Sequence, residues 1–139
     1  MRFMLQVRAD QKSESGAMPS RELIAAMGEF NQAMIDAGIM LAGEGLHPSA
    51  KGARIVFSDT GSQIVEPPFA GPSELIAGFW IIQVASRQEA IDWSRRVPFG
   101  PGGVIEIRQI FEASDFPVDI LPPEEAAREQ AWRDGQRQS

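Results

Sequence analysis

Ile64–Val84, IVEPPFAGPSELIAGFWIIQV, is the stretch on which the fold turns. A strand end, Ile64–Glu66, runs into Pro67-Pro68, and neither proline can donate a backbone hydrogen bond, so strand pairing stops there. Phe69 and a short polar stretch follow. The chain then re-enters a strongly apolar strand, Phe79-Trp80-Ile81-Ile82-Gln83-Val84.

Working back from this centre, Ala53–Ser58 alternates as a strand. Asp59-Thr60-Gly61 is a compact turn signal before Gln63–Glu66, which together read as a hairpin. Ile39–Leu46 is another strand, ending at His47-Pro48. Ser20 suits a helix N-cap. After it Leu23, Met27, Phe30 and Met34 recur at spacings of four, three and four on one helical face, with Ile24 and Ile35 widening the stripe. Gly38 fits the left-handed position that ends such a helix. Asp10–Pro19 is polar and reads as a loop. Before it, Phe3, Leu5 and Val7 alternate with Arg2, Met4, Gln6 and Arg8, the period of a strand with one buried face.

Working forward, Ser86 with Glu89 three residues later is a capping-box pattern. The helix it opens carries Ala90, Trp93 and Val97 on one side, with Ile91 beside them, and stops before Pro98. A Gly/Pro loop leads into Val104–Phe111, where Ile105 and Ile107 alternate with Glu106 and Arg108. Beyond residue 112, prolines punctuate the chain and Glu124–Arg133 is a short helix. The expected class is α+β: a ferredoxin-like βαββαβ domain over residues 1–112, and a partly helical C-terminal extension over 113–139. Its antiparallel sheet carries two helices on one face and has an extra hairpin. The other sheet face is open, carries Arg2, Met4, Gln6, Arg8, Glu106 and Arg108, and needs water or a partner.

The chain has 139 residues, 43% hydrophobic and 23% charged, with a net charge of −6. One domain is the ordinary expectation at this size. With no cysteine, thiol catalysis, thiolate metal sites and disulfides are excluded. No run of Lys or Arg supplies a nucleic-acid face. No apolar run approaches the ~20 residues of a membrane span. With no signal-peptide core at its start, the chain reads as cytoplasmic. One histidine and scattered carboxylates offer no metal-ligand spacing, and no glycine-rich phosphate loop is present, so neither metal nor cofactor is expected.

The chain resembles the YCII-related (DGPF) family of small bacterial proteins in the dimeric α+β barrel superfamily. The resemblance spans roughly Met1 to Phe111. It rests on the order and spacing of Arg2-Phe3-Met4-Leu5, Gly38, Ala42-Gly43-Glu44-Gly45-Leu46-His47-Pro48, Pro68-Phe69-Ala70, Gly78-Phe79-Trp80-Ile81-Ile82 and Gly103–Arg108. Where the family has DGPF, this chain has Glu66-Pro67-Pro68-Phe69. The resemblance implies a homodimer of ferredoxin-like subunits enclosing a cleft between sheets. It also implies, as an alternative, a regulatory module associated with an extracytoplasmic-function sigma factor. Some relatives in the wider superfamily carry a His–Asp pair proposed as a general acid/base. Its aspartate aligns with Asp36, but the histidine's region holds only Ala25, Ala26 and Met27 here, so that dyad is absent in its usual form.

His47 is the only histidine, the side-chain type that titrates near neutrality, and it sits at a strand end; the competing reading is an exposed or locally bonded histidine in a turn. Glu44 lies between two glycines, and Asp36 in a helix's last turn, where the dipole disfavours an anion. These three are the acid/base candidates; a solvated carboxylate is the competing reading for the two acids. Arg2, Glu106 and Arg108 are candidates for holding a carboxylate or phenolate, or for ion pairs across a dimer interface. Phe69 and Trp80 are candidates for an apolar pocket wall, or core. The expected function is binding of a small anionic or aromatic molecule in a dimer cleft, with acid/base catalysis left open.

Overall fold

The computed structural model describes residues 1–69 and 71–138; Ala70, one of the residues carrying the resemblance, lies outside them. In chain order the elements are β1 (Arg2–Arg8), α1 (Gln11–Glu14), α2 (Arg21–Asp36), β2 (Met40–Gly45), β3 (Arg54–Ser58), β4 (Gly61–Val65), β5 (Ile76–Gln83), α3 (Arg87–Ser94), β6 (Ile105–Gln109) and α4 (Pro123–Gln138). Four strands form one antiparallel sheet in the order β2-β5-β1-β6, and β3–β4 is a separate two-stranded ribbon. This is a ferredoxin-like βαββαβ fold, with the ribbon inserted between the second and third strands of the sheet.

The alternation in β1 sets the two sheet faces. Phe3 and Leu5 are buried and pair with Ile82 and Trp80 of β5. These four pack with Phe30 and Met34 of α2, with Ala90 of α3, and with Val97 beyond it, so both helices cover the same face. The Trp80 indole N–H donates to Asn31 Oδ1 at 2.9 Å, and its ring meets Phe30 edge-on at 5.4 Å between centroids. The core aromatic thus has both its apolar body and its one polar atom satisfied.

Both helix starts are capped from their own sequence. Ser20 Oγ accepts from Leu23 N–H at 3.1 Å, and Ser86 Oγ from Glu89 N–H at 3.1 Å. The Glu89 carboxylate reaches one residue further back, accepting from Ala85 N–H. Gly38 closes α2 with φ of 72°. Two expectations are corrected. Ile24 and Ile35 do not extend the buried stripe; they are 58% and 54% exposed. They lie well round the helix from the Phe30–Met34 line, at about 100° of turn per residue. The segment after β1 is not all loop: Asp10 caps the single turn of α1, accepting from Ser13 N–H at 2.8 Å, while Ser13 Oγ accepts from Asp10 N–H.

Candidate functional site

Register carries the open face residue by residue. Residues opposite each other in an antiparallel pair share a face. One row across the sheet is therefore Ala42–Ile81–Met4–Arg108, and the next is Glu44–Phe79–Gln6–Glu106. Ile81, Met4 and Phe79, all half-buried, form an apolar band along the middle. At the β6 edge, Glu106 lies 3.7 Å from Arg8 Nη1 and 3.6 Å from Arg108 Nη1. Two guanidinium groups share one carboxylate, so this edge is net positive, and the Arg108 side chain is 70% exposed. The β2 edge carries Glu44, exposed, and the exposed His47 follows just beyond the strand.

The two ends of this face differ. At one end Arg2 is gripped by Glu112, with Nε to Oε1 at 2.7 Å and Nη2 to Oε2 at 3.2 Å. This two-point pair holds the Arg2 side chain at 13% exposure, so the C-terminal segment walls off that end. A double-mutant cycle of Arg2→Ala and Glu112→Ala, followed by urea unfolding, is expected to give a coupling of about 1–2 kcal/mol, above an ordinary surface pair because the geometry is bidentate and half-buried. A coupling indistinguishable from zero would show the pair to be dispensable.

Beyond the opposite end, a concavity of about 420 Å³ is lined by residues that include Glu14, Ser49, Pro67, Pro68, Phe69 and Leu75. The Glu14 carboxylate accepts from Ser49 Oγ at 2.6 Å and from Ser49 N–H at 3.1 Å, which ties α1 to the segment after His47. The Arg54 guanidinium stacks over the Phe69 ring at 4.0 Å, joining the base of the ribbon to the proline turn. The nearby Asp10 carboxyl is held below its ordinary pKa, chiefly by the hydrogen bond from Ser13 N–H.

The candidate residues therefore fall into separate places. Glu106 and Arg108 are together on the open face, and Arg2 is on that face but engaged by Glu112. Glu44 and His47 are at the other edge. Three inter-strand steps, about 14 Å of sheet, lie between the two edges within one protomer. Phe69 lines the proline-turn concavity, whereas Trp80 lies in the core beneath the opposite sheet face, 4% exposed. Asp36 ends α2 on the helix side and accepts from Gln32 Nε2 at 2.8 Å. Glu112 and Arg54 were not legible as site residues, since nothing in their local sequence says whom they meet.

The chain belongs to the YCII-related domain family, whose model matches residues 1–114. No curated protein matches it. Among the described residues, no helix is long and apolar enough to cross a membrane.

Proposed function

We propose that this YCII-related protein pairs with a second copy through its open sheet face and binds a small anionic aromatic molecule in the cleft between the two sheets. The observation that carries the reading is an apolar band of Met4, Phe79 and Ile81 bordered by the net-positive Arg8–Glu106–Arg108 edge. A flat ring would lie on the band and its carboxylate or phenolate would meet Arg108. A two-fold axis parallel to the strands lays opposite edges over each other. It would bring Glu44 and His47 of one copy towards the positive edge of the other, supplying a proton-exchanging imidazole beside the bound anion. Acid/base catalysis at such a composite site is the activity this reading allows.

Salicylate is a suitable probe. Its addition is expected to shift the methyl resonances of Met4 and Ile81, and Arg108→Ala is expected to weaken binding about tenfold, the loss of one charge-assisted contact. Shifts confined to residues around Phe69, or unaltered binding by Arg108→Ala, would reject this cleft.

A second reading, a regulatory module that contacts an extracytoplasmic-function sigma factor, is favoured by the ribbon. Ile55, Phe57 and Ile64 share one of its faces, and Phe57 and Ile64 are 81% and 68% exposed. Co-purification with a sigma factor that is abolished by Phe57→Ser would support it over the first.

A further inference from the structure

We infer that the segment from Phe111 to Gln138 is a strap that closes over a second copy of this chain; the inference rests on the pairing proposed above. Arg2 alternates with the buried Phe3, so its side chain belongs to the open face, and Glu112 holds it there from above. The segment is therefore tied, at Glu112, to the side where a second copy would sit. Its base is rigid. Ile110 N–H donates to Arg2 C=O at 2.9 Å. Glu112 and Asp115 form a reciprocal cap, and Phe111 packs on Phe116 at 5.0 Å.

Past that base the segment presents apolar side chains with little cover. Val118, Ile120 and Trp132 are 73%, 66% and 63% exposed. Trp132 is framed by Glu125, Arg128 and Glu129 on the same face of α4. An aromatic anchor inside a charged rim is the make-up of an interface centre.

Area explains why a second copy needs this segment. Four strands of about five paired residues present a face of roughly 300 Å² in projection. Even doubled for side-chain relief, that falls short of the roughly 800 Å² each partner contributes to a standard interface. The shortfall must be met by elements standing on the same side, and the strap is anchored there. The 16 residues of α4 extend about 24 Å, longer than the sheet is wide. The matched family region ends at residue 114, so α4 is an addition beyond it.

The test is sedimentation velocity on the full chain over a concentration series, comparing the natural protein with Trp132→Ala and Ile120→Glu. Both positions are exposed, so the fold should survive, and circular dichroism checks that it does. The expected result is a dimer whose dissociation constant rises at least about tenfold in each variant, with Trp132→Phe restoring most of the loss. A natural protein that stays monomeric at about 100 µM overturns the pairing and the strap together. A dimer whose constant is unchanged in both variants overturns the strap and leaves the pairing through the sheet face standing.

Discussion

Phe30→Ala is expected to lower the unfolding free energy by about 3–5 kcal/mol, measured by urea denaturation with the slope unchanged. Phe30 is 6% exposed, sits in the buried cluster between the helices and the sheet and meets the Trp80 ring edge-on. Truncation removes the transfer free energy of a benzyl group and leaves a void between α2 and the sheet. It also takes away an aromatic pair contact worth about 0.5–1.5 kcal/mol beyond area. Collapse of the site is resisted because Trp80 is held from its other end by Asn31. A loss below about 1 kcal/mol would mean that α2 does not pack on the sheet through this face.

Gly78→Ala is expected to cost about 1–3 kcal/mol by forcing apart two paired strands. A Cβ at residue 78 would lie 2.8 Å from the Glu44 carbonyl oxygen and 3.4 Å from Gly45 Cα, both backbone atoms of β2. Backbone cannot swing aside as a side-chain tip can, so the β2–β5 ladder must yield. Gly45→Ala is the matched control. A Cβ there meets nothing within 4 Å, and its effect should stay within about 0.5 kcal/mol. Equal losses at the two positions, read by thermal or urea unfolding, would refute the steric account.

These glycines show what local sequence does and does not reveal. The apolar alternation of Phe3, Leu5 and Val7 and the Leu23–Met34 stripe were enough to define the sheet face and the helix on it. Burial on one face imposes a period that a single sequence displays. Of the two glycines beside Glu44, Gly45 has open space, whereas at Gly43 a Cβ would fall 2.6 Å from Met40 Cε and 2.8 Å from Trp80 Cδ1, both side-chain atoms. Which neighbour made the space tight, however, depends on the β2–β5 register, a long-range fact.

The site was less legible for the same reason. Placing Glu106 and Arg108 on the open face needed only alternation within one strand. The partners of Arg2 and Phe69, which are Glu112 and Arg54, are joined to them by tertiary geometry over separations of 110 and 15 residues. Trp80 and Phe79 are neighbours in sequence, and the pleat sends them to opposite faces. Only a fixed register says which of the two meets the helices.

The bond between Ile110 N–H and Arg2 C=O has a consequence for chain connectivity. It makes the entrance to the first sheet strand and the exit from the last immediate neighbours in space. The order in which the strands are threaded is then separable from the architecture they build. A short peptide joining residue 110 to residue 1, with new ends opened at the exposed Asp59-Thr60 turn of the ribbon, would leave every strand pairing of the four-stranded sheet in place. Such a rearranged chain would lack the C-terminal segment, and its unfolding curve would report whether the helix-covered core stands without it.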